Sequence, residues 1–390
     1  MLQKIAYLSF FFILNFTAVA QYIPLSPNAE VSILTIGPGD NLYDKFGHSA
    51  FYIQDPERDI EAIYNYGVYD WNTPNFYLKF ARGKLLYKLE GVQAASFLEN
   101  YKEQNRWIKQ QTLNLYYPEK QAVFTFLNNN LKPENKYYKY DFFYDNCATK
   151  IRDVLVTVLG KDLEFTDDFT TENKTFRNLI QQNVHWNSWG SLGMDVAIGA
   201  VTDVKANSWQ YQFLPDYVFK ATATATIRNG ERTPLVKNTQ TLFESSRTPE
   251  TPNFITSPLF VFLLLGGILI VITIRDKKRN KRSRGLDVAI FSITGIIGIL
   301  LCLLWFATDH SATANNYNLL WAFPFSLLLA FVIGKKQPKS WVRRYVIFLL
   351  LLLVLVTMHW FTGVQEFAFG FIPLFIGLAV RYVYLLKALK

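Results

Sequence analysis

The chain has 390 residues, half of them hydrophobic, which is too apolar for one water-soluble body. Its excess of 40 basic over 31 acidic residues is unevenly placed, with a net of +11 in residues 275–390 and −2 before them, so the charge reports membrane topology and not a nucleic-acid face. Four scattered histidines and two cysteines, without an HExxH, CxxC, P-loop, GxGxxG or GxSxG element, leave no metal, nucleotide or serine-hydrolase signature.

Residues 1–20 read as a signal peptide: Lys4, the apolar run IAYLSFFFILNF, then the small-x-small pattern Ala18-Val19-Ala20. Residues 21–228 form the exported domain. EVSILTIG at 30–37 is a strand rich in β-branched residues, ended by Pro38-Gly39-Asp40. A second strand runs from Gly47 to Ile53 and a third from Ile60 to Gly67. The turn-forming cluster Asp55-Pro56-Glu57-Arg58-Asp59 between them makes a hairpin that brings His48 and Asn65 within reach of each other. Next come a loop and short helix over 72–83, a fourth strand at 85–89, and helices over 92–109 and 118–131.

Cys147 follows at the point where a tyrosine-rich extended stretch gives way to helical spacing. Ile151, Val154, Leu155, Val158 and Leu159 recur at i, i+3, i+4, i+7 and i+8, which sets the thiol in the first helical turn. There the helix dipole favours thiolate. A buried, inert thiol is the competing reading. The other cysteine, Cys302, lies inside an apolar span, so the exported domain has no disulfide, and a leftover exported thiol points to a reactive one. Residues 186–202, mixing Gly with aromatic and aliphatic side chains, suit a lid or a glycine-rich connection, and 216–227 suits a helix. Residues 229–257, rich in Thr, Ser, Pro and Asn, read as a linker.

From 258 to 390 five apolar spans are expected, at 258–274, 286–307, 319–334, 345–361 and 367–385, the third being short. RDKKRNKRSR carries seven Lys/Arg and 335–344 carries five, while 308–318 and 362–366 carry none. By the positive-inside rule the basic loops are cytoplasmic and the large N-terminal segment is outside the cytoplasm.

A nucleophilic thiol needs a base, and the base an orienting partner. Cys147, His48 and Asn65 supply these roles in the chain order His, Asn, Cys, which is workable because such a triad is defined by geometry. Backbone N–H groups at the helix start would serve an oxyanion.

FGHSAFYI, YNYGVYDW, YDNCATKIRD and TDHSATANNYNLLWAFP, occurring in this order, resemble the Lnb family of bacterial lipoprotein N-acyltransferases. The resemblance implies an α+β fold, with a circularly permuted papain-like domain similar to NlpC-type peptidases and lecithin:retinol acyltransferase, followed by an all-α membrane domain of five helices. It also implies catalysis by Cys147 as nucleophile and His48 as base, with Asn65 standing where the acyltransferase relatives carry a second His. No cofactor is implied; a membrane phospholipid is the acyl donor, and the α-amine of a diacylglyceryl-modified lipoprotein accepts through a Cys147 thioester. The cellular site is the bacterial inner membrane with the catalytic domain in the periplasm. Ser49 and Tyr66 beside the base, Tyr144 and Asn146 beside the thiol, and His310 and Asn318 on an outer loop are candidates for substrate contact. The same thiol chemistry would suit an NlpC-type peptidoglycan peptidase, a phospholipase or thioesterase, or an inactive sensor descended from one.

Overall fold

The computed structural model describes residues 23–248 and 253–389, so the expected signal peptide at 1–20 lies outside the described residues. The chain is mixed α+β, a sheet-rich N-terminal domain followed by a helical region. Its strands are β1 (Glu30–Ile36), β2 (His48–Asp55), β3 (Ile60–Val68), β4 (Leu86–Gln93), β5 (Ile108–Leu113), β6 (Tyr137–Lys139), β7 (Leu163–Glu164), β8 (Thr226–Asn229), β9 (Glu231–Pro234) and β10 (Val236–Phe243). Seven of them form one antiparallel sheet in the order β10-β5-β1-β2-β3-β4-β6, and β7-β8-β9 form a small second sheet.

Two readings of the sequence change here. The helix expected over 92–109 stops at Glu103, because Asn105 takes a left-handed conformation (φ 51°) that ends it. Residues after it become β5, a central strand carrying buried Gln110 and Gln111. Both amides are satisfied inside, Gln110 donating to Ser32 Oγ (2.9 Å) and Gln111 to the Phe219 carbonyl (3.0 Å), which is what lets glutamine sit mid-sheet. The linker expected from 229 is strand up to Phe243: β10, polar and largely exposed, pairs with β5 as the sheet's edge.

The helices of the first domain are α1 (Phe76–Ala81), α2 (Ala94–Glu103), α3 (Tyr117–Asn130), α4 (Cys147–Leu159), α5 (Phe176–Gln181), α6 (Trp189–Ala197), α7 (Ser208–Tyr211) and α8 (Pro215–Thr224). On α4 the residues at helical spacing, Ile151, Val154, Leu155 and Leu159, are buried in one core with Ile33, Phe51 and Ile53 of β1 and β2. That packing fixes the first turn of α4 against the sheet.

The membrane domain consists of α9 (Pro258–Arg279), α10 (Arg284–Phe306), α11 (Ser326–Ile333), α12 (Trp341–Phe361) and α13 (Ile372–Ala388). Among the described residues four stretches, α9, α10, α12 and 369–388, are each long and apolar enough to cross a membrane, and the short α11 completes the five helices expected. The third expected span is broken: a 3-10 turn at Tyr317–Leu320 and Pro324 leave only the eight residues of α11 helical. It lies hard against α10, whose Gly295 and Gly298 admit the Leu327 amide and the Ala322 carbonyl so closely that a Cβ would stand 2.2 and 2.1 Å from them.

The two domains are joined by buried polar contacts. Arg177 of α5 holds Asp195 of α6 (3.0 Å) and Asp203 (2.8 Å), Asp203 accepts from the Glu366 amide (3.2 Å), and Asn178 donates to the Glu366 carboxylate (3.2 Å). The stretch 186–202, expected as a lid or connection, is therefore part of this joint and includes α6. An Arg177→Met variant, leaving two buried carboxylates unpaired, is expected to lose about 3–5 kcal/mol of stability, read as a fall in thermal midpoint of the detergent-solubilised protein. The basic loops lie at the far end of the bundle, where Arg282 donates to the Lys335 carbonyl (2.7 Å) and Arg343 to that of Leu386 (3.0 Å).

Candidate active site

The thiol owes its position to a helix cap. Asn146 Oδ1 accepts from the N–H groups of Ala148 (2.8 Å) and Thr149 (2.9 Å), Thr149 Oγ1 accepts from the Asn146 amide (2.8 Å), and Asn146 Nδ2 donates to the carbonyls of Phe142 (2.7 Å) and Phe213 (2.8 Å). Cys147 is thus the first residue of α4, half-buried, with no freedom of backbone. Across from it β3 bulges between Asn65 and Val68, and Gly67 (φ 91°) brings its backbone to the thiol: a Cβ there would lie 3.6 Å from that of Cys147.

His48 begins β2, and its Nε2–H donates to Asn65 Oδ1 at 2.6 Å. That bond leaves Nδ1 facing Cys147, with which the ring shares a hydrogen bond. Burial pushes the Cys147 thiol up, but the charge and hydrogen bond of His48 and the N–H groups of Ser49 and Ala148 bring it below the ordinary thiol range. For His48 burial works downward, and the Cys147 charge with the hydrogen bonds to Cys147 and Asn65 more than offset it, so the imidazole titrates higher than usual. Both shifts favour the thiolate–imidazolium pair. An Asn65→Ala variant frees the ring to rotate and removes a bond to a charged group worth about 1.5–3 kcal/mol, so the equilibrium toward the thiolate–imidazolium pair is expected to weaken by about tenfold to a hundredfold, measured from the pH profile of Cys147 alkylation by iodoacetamide.

The other sequence candidates separate cleanly. Ser49 is fully buried and offers the thiol its backbone N–H. Tyr66 is buried with its hydroxyl donating to Asn130 (2.5 Å), and Asn146 spends its whole side chain on the cap, so neither is free for substrate. Tyr144 is exposed beside the thiol-bearing loop and is the one of this group open to a ligand. Asn318 is buried in the domain joint, donating to the Asp195 carbonyl (2.9 Å) and accepting from Trp321 Nε1 (2.8 Å). His310 is held by the carbonyls of Phe80 and Ala81 (both 3.2 Å), so it braces α1 instead of entering the thiol's surroundings.

Several residues without a sequence motif shape the site. Tyr101 stacks on His48 (6.2 Å between centroids), the Arg106 guanidinium lies 4.7 Å over Tyr101, and Arg106 donates to the Gly37 carbonyl (2.8 Å). Burial pushes Tyr101 up to about 12. Tyr138 and Tyr140, from the approach to the cap, stand near enough to Cys147 that burial first, and then the thiolate charge, raise both phenols well above their usual range. Only the unusual density of tyrosine between 137 and 144 hinted at this wall.

Residues 23–182 match the Lnb N-terminal periplasmic domain and residues 249–390 match the Lnb transmembrane domain. The chain belongs to the Lnb family. It is a lipoprotein N-acyltransferase-like integral membrane protein, with the two Lnb domains in the order expected from its motifs. No curated protein and no solved structure matches it. Both His48 and Cys147 fall within the Lnb N-terminal match, and the His310 loop falls within the transmembrane match.

Proposed function

We propose that this Lnb protein moves an acyl chain from a membrane phospholipid to the α-amine of a diacylglyceryl-modified N-terminal cysteine, through a thioester on Cys147 and without a cofactor. The observation that carries this is the bracing of the thiol's own loop by the membrane domain. Ser311 Oγ donates to Asp141 (2.6 Å), Lys139 donates to Asp309 (2.7 Å), and Asp141 in turn accepts from the amides of Phe143 and Tyr144 just before the cap. An enzyme acting on soluble peptide would need a tether; a thiol registered against membrane helices suits substrates that are themselves in the bilayer.

In the first step the Cys147 thiolate attacks the ester carbonyl, and backbone N–H groups at the helix start, that of Cys147 included, would serve the oxyanion. Collapse expels the lysophospholipid alkoxide, which takes the proton held on His48 Nδ1. In the second step Nδ1 removes a proton from the attacking amine, the thioester carbonyl becomes the amide, and the thiolate returns. With the basic loops cytoplasmic, the thiol domain lies on the periplasmic side of the inner membrane, where lipoprotein N-termini are presented.

Incubating the purified full-length protein with phospholipid and examining the Cys147 peptide by mass spectrometry tests the reading. An acyl thioester is the expected result. A clean thiol under turnover conditions would return the protein to the peptidase reading.

A further inference from the structure

The segment 71–84 is unlike the rest of the sheet domain's surface. Tyr77 is 79% exposed and Trp71 63%, with Leu78 and Phe80 also exposed beside them. They form one continuous aromatic patch, since Trp71 packs on Phe76 (4.6 Å between centroids) and Phe76 on Tyr77 (5.4 Å) and Phe80 (6.4 Å). A contiguous apolar patch of this kind on a folded domain marks a contact surface. A six-residue helix does not stand alone in water, and α1 is held instead by a loop of the membrane domain.

That attachment sets its height. The Asp309 amide donates to the Arg82 carbonyl (2.9 Å), His310 Nε2 bonds the Phe80 and Ala81 carbonyls, and the backbone of Gly83 touches Asp309 and His310. Asp309 and His310 come directly after α10, whose last residue, Phe306, is 72% exposed on the apolar face of the bundle. The aromatic patch therefore sits at the level where α10 leaves the hydrocarbon. Lys79, Arg82 and Lys84 belong to the same stretch, Arg82 and Lys84 exposed, and a segment that combines rings with basic residues suits phosphate headgroups above acyl chains.

From the patch an aromatic row leads inward. Trp71 and Phe76 touch Tyr69 (5.0 and 5.7 Å), Tyr69 touches Tyr87 (5.3 Å), and Tyr87 stacks on Tyr140 (4.3 Å), the phenol beside Cys147. We propose that 71–84 is a foot immersed in the outer half of the bilayer, which takes up a phospholipid and leads its ester along Tyr69, Tyr87 and Tyr140 to the thiol. The delivery role rests on the acyltransferase reading above; the immersion does not.

The test uses the full chain carrying Cys147→Ser and Cys302→Ala, with one reporter cysteine, Tyr77→Cys, labelled with an environment-sensitive fluorophore. A second chain carries Arg58→Cys instead, in the β2–β3 turn at the opposite end of those strands from α1. Both are reconstituted into phosphatidylethanolamine–phosphatidylglycerol vesicles with brominated acyl chains. Quenching of at least twofold at 77 and none at 58 is expected; equal, absent quenching at both would overturn the proposal. In the active protein, Tyr77→Ser with Phe80→Ser is expected to slow thioester formation from vesicle phospholipid by at least tenfold, and an unchanged rate would overturn the delivery role. Quenching at 77 together with a wild-type chain that forms no thioester would also remove delivery, while leaving the immersed foot in place.

Discussion

Replacing Cys147 by Ser is expected to abolish N-acylation while the protein still accumulates in the membrane. The two side chains differ by one atom at a half-buried position whose backbone is fixed by the Asn146 cap, so the fold has little to lose. The chemistry loses nearly everything. The pair is tuned for a thiolate that Ser49 and Ala148 N–H groups and His48 stabilise, and the same groups cannot bring an alcohol to comparable ionisation. A loss of about a thousandfold or more is expected. Mass spectrometry of the N-terminal peptide of a lipoprotein from cells relying on the variant decides it, and an unchanged triacylated product would sink the assignment.

His48→Ala is the second large effect, expected to slow transfer by about a hundredfold to ten-thousandfold. It carries a pH signature that a merely structural change would not. In the wild type burial pushes the thiol up, and the charge and hydrogen bond of His48, with the N–H groups of Ser49 and Ala148, together outweigh it and keep the thiol below its ordinary range. Alkylation by iodoacetamide should therefore stay fast as pH falls into the region where a free thiol is already protonated. Without the imidazole only the Ser49 and Ala148 N–H groups oppose burial, so the titration of Cys147 moves upward and the alkylation profile shifts to higher pH. Superimposable profiles for wild type and variant would show that His48 is not the thiol's partner.

The hairpin that joins His48 to Asn65 was legible because its turn and its β-branched strands obey local rules, and the nucleophile helix because its apolar spacing is strict. Even so, register puts Asn65 opposite Ala50, and it reaches His48 diagonally, from beside the bulge at Gly67. What escaped was decided by partners distant in sequence. Gln110 and Gln111 look like solvent-facing helix residues until Ser32 and the Phe219 carbonyl are brought to them. Asn318 looked like a ligand contact because polar residues at a membrane edge attract that reading, whereas its amide is consumed by α6. The third apolar span was legible as short, but not its interruption at Pro324 or its close packing on the glycines of α10.

The edge strand β10 has a consequence for how the protein can be made or divided. It is the last strand synthesised, yet it pairs with β5, next to β1, the first. Until Phe243 has been translated, β5 presents an open ladder, and the first membrane helix follows at Pro258. Completion of the sheet and entry into the bilayer are thus nearly simultaneous events in biosynthesis. A fragment ending at 228 would lack the covering strand and expose a sticky edge. A soluble catalytic fragment would have to extend through Arg247, whose amide bonds Ser245 Oγ while Ser245 and Ser246 fasten to Asn105 beyond the end of α2.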